Sequence, residues 1–315
     1  SVLYCLYRFS TNSISLSPMF VLLTVVFWLW IVWRAYFFVA YRPRSVQGKT
    51  VLITGGGSGL GRLMALRFSN LGAKIVLWDM NKAGLEKVAT EIQAKGGKAS
   101  FNVVDVTDRE LVYKTAKDVG AVDILINNAG IVTGKPLLDC PDALMEKTVQ
   151  VNTISHFWTI KAFLPGMVER NSGHVVTIAS AAGQAGVAGL VDYCASKFGA
   201  IGTADSLYYE IRKRKWNIQT TLVCPYYINT GMFDGVKTRF NFLLPILEEN
   251  SVADRIVLAI RRGEEHINLP WLVNTIPLLR VLPTPWCAKI AEFLGVAESM
   301  DQFKGRVSTD KKQLQ

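Results

Sequence analysis

Residues 49–61 read KTVLITGGGSGLG, and residues 62–68 continue RLMALRF. The β-branched run ending at Thr54 predicts a buried strand, and the apolar spacing after Gly61 predicts a helix. Between them Gly55, Gly57, Ser58, Gly59, Leu60 and Gly61 form a turn with the spacing G-x-x-x-G-x-G. Glycines at that junction let the backbone approach a pyrophosphate, which then rests on the unsatisfied N–H groups of a helix N-terminus. The spacing departs from the commoner G-x-G-x-x-G fingerprint.

The pattern around this stretch repeats it. Short β-branched runs at 73–79, 99–105, 122–127, 173–180, 218–224 and 266–270 alternate with amphipathic stretches, the pattern of βαβ units. The expected fold is α/β, a Rossmann-like doubly wound parallel sheet in a single domain over residues 48–270. Residues 225–250 break the alternation and are rich in Tyr, Phe and Leu. Residues 271–315 form an apolar extension broken by Pro277, Pro283 and Pro285, followed from Lys304 by a polar tail. The prolines argue for interfacial or groove-lining pieces rather than a membrane span.

Residues 1–47 differ in kind. No charged residue lies between Arg8 and Arg34, and 23 residues from Met19 to Tyr41 are almost wholly apolar. As a helix they are long enough for about 30 Å of hydrocarbon. Trp28, Trp30, Trp33, Tyr36 and Tyr41 suit an interfacial belt, and Arg34 can snorkel. A membrane anchor helix followed by a basic linker is therefore expected. Arg34, Arg42, Arg44 and Lys49 outnumber Arg8, which places the remaining chain on the cytosolic side. The first residue is Ser, so the natural N-terminus is expected upstream.

Composition sets the limits. The 315 residues are 50% hydrophobic and 19% charged, with mean hydropathy +0.23, which excludes a disordered chain. The net charge of +10 admits anionic membranes or nucleic acid, but part of it flanks the apolar segment and no basic-aromatic stripe appears. Nucleic acid is not expected as a partner. Cys5, Cys140, Cys194, Cys224 and Cys287 lack ligand spacing, so neither a metal nor a disulfide framework is expected. His156, His174 and His266 are scattered and read as packing or surface residues.

Further residues carry chemistry. Asp79 ends the second strand, where a carboxylate holds ribose hydroxyls and repels a 2′-phosphate, favouring NAD over NADP. Lys82 nearby keeps NADP as a lesser option. Asp105 ends the third strand, facing an adenine or capping a helix with Thr107 and Asp108. Asn127, Asn128, Ala129 and Gly130 end the fourth strand as crevice lining or a plain turn. Tyr193 and Lys197 are four apart, on one helical face. An ammonium about 4 Å from a phenolate contributes about 4 kcal/mol at an effective dielectric of 20, or about three pKa units. That shift gives a phenol able to exchange a proton near neutral pH.

Thr54-Gly-x-x-x-Gly-x-Gly61, Asn127-Asn-Ala-Gly130, Asn152, Ser180 and Tyr193-x-x-x-Lys197, in this order, resemble the short-chain dehydrogenase/reductase superfamily over about residues 48–270. The resemblance implies Tyr193 as acid-base and Ser180 as holder of the substrate oxygen. Lys197 would bind the nicotinamide ribose and lower the tyrosine pKa, and Asn152 would anchor a proton-relay water. Val106, Pro225, Ile228 and Thr230 join the glycine turn, Asp79, Asp105 and residues 128–130 as implied cofactor contacts, with Thr230 at the carboxamide. Pro225-Tyr226 departs from the family's Pro-Gly.

The anchor, LWDMN at 77–81 and CPYYINTGMF at 224–233 are similar to the membrane-bound branch of retinol and 17-beta-hydroxysteroid dehydrogenases. That resemblance implies NAD-dependent oxidation of a retinoid or steroid alcohol, with retinol to retinal first and a non-catalytic lipid-droplet protein as the alternative of another class. It also implies a homodimer through the helices near 141–170 and 193, at the endoplasmic reticulum membrane or a lipid droplet.

Overall fold

The computed structural model describes residues 18–40, 42–296 and 298–305. Cys5, Arg8, Tyr41, the Arg34 side chain and the tail beyond residue 305 lie outside the described residues. The chain divides into two compact units, 1–43 and 44–315.

In the first unit a single helix, α1 (Pro18–Ala40), continues for 23 residues. Thr24 donates its hydroxyl to the Phe20 carbonyl at 2.7 Å, so its polar group is satisfied within the helix. Among the described residues no helix is long and apolar enough to cross a membrane, so the expected span is not shown.

The second unit is built on seven parallel strands in the order β3-β2-β1-β4-β5-β6-β7. They are β1 (Thr50–Thr54), β2 (Lys74–Asp79), β3 (Lys98–Val103), β4 (Ile124–Asn127), β5 (Gly173–Ile178), β6 (Ile218–Pro225) and β7 (His266–Leu269). Asp123 fixes the start of β1, accepting from Thr50 N at 2.8 Å and Lys49 Nζ at 3.1 Å.

Successive residues on the central strands face opposite layers, as the pleat requires. Val51, Ile53, Ile75 and Leu77 pack against α2 (Gly59–Asn70), α3 (Lys82–Ala94) and α8 (Glu249–Arg262). Leu52, Val76, Trp78 and Leu125 face α4 (Arg109–Val119), α6 (Ser155–Glu169) and α7 (Val191–Arg214), with Trp78 and Phe163 rings 5.6 Å apart. A short α5 (Asp142–Val149) runs into α6 through a π-turn at Gln150–Ile154. Asn81 and Asp108 cap α3 and α4 by accepting from Gly84 N and Leu111 N, each at 3.0 Å. Because the crossovers leave β1 in opposite directions, a crevice opens at the carboxyl ends of β1 and β4.

Beyond β6 the chain is irregular, with one isolated bridge between Ile228 and Leu247 before α8. After β7 come a 3₁₀ turn at Trp271–Thr275, α9 (Ile276–Leu279) and α10 (Thr284–Phe293). The prolines at 277, 283 and 285 break this segment into short helices, and residues drawn from 272–296 line a cleft.

Candidate active site

At the crevice the glycine turn leaves no room for side chains. Gly55 has φ +65, and a Cβ on Gly61 would sit 2.2 Å from the Gly55 carbonyl oxygen. The first turn of α2 therefore lies against the turn itself, presenting backbone N–H groups that have no intrahelical acceptor. Asn128 clamps the arrangement: its Nδ2 donates to the carbonyls of Thr54 at 2.9 Å and Gly55 at 3.2 Å. The Thr54 hydroxyl in turn accepts from Asn128 N and Ala129 N, both at 3.0 Å. Thr54 and Asn128 thus shape the turn from within. From sequence Asn128 reads as crevice lining, a turn or an implied cofactor contact, and its clamp on the turn is not legible there.

Asp79 closes the far side. Its Oδ2 accepts from Gly57 N and its Oδ1 from Asn81 N, each at 3.0 Å. These bonds fix a half-exposed carboxylate beside the turn, where a ribose diol fits and a 2′-phosphate is repelled. Lys82 pairs with Glu86 at 3.7 Å, which weakens the NADP option. Asp105 is held as well: Thr107 donates to Oδ1 from both its backbone and hydroxyl, and Lys147 Nζ lies 2.9 Å from Oδ2. Despite the burial that opposes it, these partners keep the Asp105 carboxyl below the usual carboxylate range. Val106 is buried beside it. The donor set, the missing Cβ volume and the carboxylate at the end of β2 together fit a nicotinamide dinucleotide.

Ser180, Tyr193 and Lys197 come together past the end of β5. Ser180 Oγ accepts from Ala182 N at 3.1 Å and donates to the Pro225 carbonyl at 3.4 Å. Lys197 Nζ lies 5.7 Å from the Tyr193 ring centre and donates to the Ile178 carbonyl at 3.0 Å. Asn152 is fully buried in the π-turn. Its Oδ1 accepts from Ile131 N, and its Nδ2 donates to the Ile131 carbonyl and to Ser196 Oγ, all at 2.9 Å. Ser196 Oγ donates to the Tyr193 carbonyl at 2.7 Å. Asn152 therefore ties the loop after β4 to the helix that carries the tyrosine. Gly130 lies between them, where a Cβ would crowd Asn152 Oδ1 at 3.3 Å and reach Lys197 Nζ at 3.6 Å. The π-turn is a device no spacing rule revealed; such turns concentrate at functional sites.

Electrostatics differ from the expected pairing. Burial pushes the Tyr193 phenol above its ordinary range, outweighing the opposing hydrogen bond with Ser180. Burial also pushes the Lys197 ammonium down to about 8. Desolvation of both groups outweighs the mutual attraction assumed for an exposed i, i+4 pair. The histidines take no part. His156 and His174 are buried and pushed down to about 3, chiefly by burial, and His174 Nε2 meets Thr221 Oγ1 at 2.8 Å. His266 is exposed at the start of β7.

Pro225-Tyr226 also resolves. Tyr226 N donates to the Leu269 carbonyl at 2.6 Å, extending the β6–β7 ladder. The Tyr226 and Tyr227 rings meet at 4.6 Å, and both face a cleft on the substrate side. Thr230 N donates to the Ile228 carbonyl at 2.8 Å in the turn that follows. The cleft, of about 570 Å³, is bounded by Ser180 and Tyr193 and roofed by residues drawn from 272–296, Trp286 and Phe293 not among them. Phe233, Leu244, Leu279 and Ile290 are among its apolar walls. Spacing did not single out these walls, because any apolar residue of suitable size can serve there. Among the described residues no three metal-ligating side chains come together.

Comparison with known proteins agrees with this geometry. Residues 49–239 match the short chain dehydrogenase family. The chain is 48% identical to epidermal retinol dehydrogenase 2 of Mus musculus over 86% of this chain and 90% of that protein. It is 40% identical to retinol dehydrogenase 10 of Homo sapiens, covering 90% and 93% of the two. Among solved structures, a short chain dehydrogenase/reductase from Burkholderia phymatum in complex with NAD matches with a TM-score of 0.68. Its identity is 25%, over 75% of this chain and 94% of that one. A metagenomic short-chain oxidoreductase in complex with NADP matches with a TM-score of 0.60 and 28% identity, over 71% and 97%. With its seven-stranded parallel sheet, glycine turn and Ser180-Tyr193-Lys197 cluster, the chain belongs to the short-chain dehydrogenase family.

Proposed function

We propose that the protein oxidises a long lipophilic alcohol, all-trans-retinol, to the aldehyde with NAD as oxidant. The cleft carries this reading: about 570 Å³ walled mainly by apolar and aromatic side chains, with Ser180 and Tyr193 among the few polar residues that line it. Ligand pockets of roughly 300–1,000 Å³ with few convergent polar groups take molecules of that size and character. The relatives named as retinol dehydrogenases select retinol among such alcohols.

The glycine turn, Asp79, Asn128 and Gly130 would hold the dinucleotide, whose bound nicotinamide supplies the two-electron acceptor. Asp105, Val106, Pro225, Ile228 and Thr230 border that site. Ser180 Oγ orients the substrate hydroxyl, and the Tyr193 oxygen, as phenolate, takes its proton. Lys197 stabilises that phenolate from the same helix, and Asn152 positions the tyrosine helix through Ser196. Burial resists ionisation of Tyr193, so oxidation is expected to rise with pH without levelling off below the ordinary phenol range.

The α1 segment anchors the protein in the endoplasmic reticulum membrane or on lipid droplets, with the second unit facing the cytosol. Two copies pair through α6 and α7. The apolar face of α1, exposed from Met19 to Trp30, supports the anchor.

The test incubates membranes carrying the full chain with NAD and all-trans-retinol or estradiol, and separates products by chromatography. Retinal formation that vanishes in Tyr193→Phe is the expected result. Estradiol turnover alone would reassign the substrate to steroids, and equal background with both proteins would refute the enzyme.

A further inference from the structure

The segment that roofs the cleft is apolar on two faces. On α10 and at its C-cap, Cys287, Ile290, Ala291 and Leu294 recur at helical spacing and wall the cleft. Trp286 and Phe293, seven residues apart and so on one other face, are each 66% exposed. Leu278 and Val281, just before α10, are exposed as well. From the loop after β6, Phe242 is 82% exposed. The Phe240 ring lies 6.1 Å from Phe242 and 5.3 Å from Phe293, which joins loop and helix into one patch. Arg239 Nη1 fastens the same joint by donating to the Glu292 and Phe293 carbonyls at 3.0 and 3.2 Å. Among the described residues of the second unit, more than half of the exposed large hydrophobic side chains lie in 242–246 and 271–293. An apolar patch of this kind marks a surface that something covers.

Charge identifies what covers it. Within the segments that form the patch, 237–246 and 271–294, Lys237, Arg280 and Lys289 stand with one acid, Glu292, while Arg239 is paired with Glu298 at 2.8 Å. Arg280 sits at the cleft rim, its guanidinium 5.1 Å from the Phe198 ring centre. Aromatic rings with cations beside them match the headgroup layer of an anionic bilayer, where rings take the apolar boundary and cations meet phosphate. A second copy of the same patch in a twofold contact would instead bring these cations together.

We propose that this patch docks on an anionic phospholipid surface, with α9 and α10 in the headgroup layer. A lipophilic alcohol then reaches the cleft along a helix that touches lipid on one face and substrate on the other. The route, though not the docking, rests on the substrate reading above.

The experiment uses the full chain reconstituted in phosphatidylcholine–phosphatidylserine liposomes. Photoreactive benzoylphenylalanine replaces Trp286, Phe293 or Phe242, or, as control, Tyr209, an exposed aromatic on α7 outside the patch. Lipid adducts are expected at the three patch positions and not at the control. Adducts at Trp286 no more frequent than at Tyr209, or chain-to-chain adducts in place of lipid ones, would overturn the docking. Trp286→Ser with Phe293→Ser gives a second readout. It is expected to raise KM several-fold for liposome-borne retinol while leaving KM unchanged for retinol in detergent, and an equal rise in both would overturn the route. Lipid adducts without any retinal formation would refute the substrate reading alone.

Discussion

The two sides of the crevice are built on opposite terms. On the dinucleotide side, residues 50–130, polar atoms answer one another at fixed distances: Asn128 to Thr54 and Gly55, and Gly57 to Asp79. Gly61 there has no space for another carbon. On the substrate side, residues 225–296, shape comes from ring contacts and partly exposed apolar walls. Backbone geometry tolerates few residue types at a position, whereas apolar enclosure accepts many of similar volume. One side is therefore intolerant of change and the other permissive.

The sharpest way to break that contrast is one carbon atom on each side. In Gly61→Ala the new Cβ meets the Gly55 carbonyl oxygen at 2.2 Å and Asn128 Nδ2 at 2.8 Å. Backbone cannot yield as a side-chain tip does, so a loss of about 3 kcal/mol in stability is expected. NADH affinity, followed by its fluorescence, is expected to fall about 100-fold, equivalent to a further 2.7 kcal/mol. Gly186 lies in the cleft wall, and a Cβ there meets nothing within 4 Å. Gly186→Ala is expected to shift stability by no more than about 0.5 kcal/mol and to leave NADH binding alone. Equal losses in the two variants would dissolve the comparison.

Legibility in the sequence divides along the same line. All seven strands were readable, within two residues at each end, because each is a β-branched run bounded by turns. The placement of Gly61, Asp79, Ser180, Tyr193 and Lys197 around the crevice was readable because the roles expected of them admit so few residue types. The π-turn at Gln150–Ile154 was not, since it depends on how α5 and α6 pack against Ser196 and Gly199 rather than on local propensity. Nor were the cleft walls, as Leu279 or Ile290 carries no signal separating a roof from any other apolar surface. The expected drop in the Tyr193 pKa failed for a related reason: sequence gives the spacing of two charges and not the depth at which they sit.

The junction of the two sides offers a second test. Lys197 is buried and its ammonium is pushed from its ordinary 10.5 down to about 8. Between those values the unfolded chain binds more protons, so stability rises with pH there and the charged form costs the fold about 3 kcal/mol below pH 8. Lys197→Met removes that cost and forfeits the charge-assisted bond to the Ile178 carbonyl, worth about 2 kcal/mol. A net gain of about 1 kcal/mol, a rise in Tm of about 2–4 °C at pH 7, is expected together with loss of activity. The gain should shrink as the pH approaches 10. A variant less stable than the parent at pH 7 would mean that Lys197 holds the fold as well as the site.

The smallest expected effect asks whether the permissive side has a polar restraint of its own. Four residues beyond Ser180, Gln184 Nε2 donates to Asn268 Oδ1 at 2.7 Å. Asn268 Nδ2 then donates to Asn274 Oδ1 at 2.9 Å, and Asn274 Nδ2 to the Trp271 carbonyl at 2.6 Å. This amide chain ties the turn carrying Ser180 to the first turn of the roof. Its outer members are exposed, so each bond contributes about 1 kcal/mol or less. Asn274→Ala is expected to raise KM for the lipophilic alcohol about fivefold, with kcat and KM for NAD unchanged, because a looser roof weakens ground and transition states alike. A fall in kcat at constant KM would show instead that the roof sets the position of Ser180 against Tyr193, and the substrate side would then share the geometric strictness of the dinucleotide side.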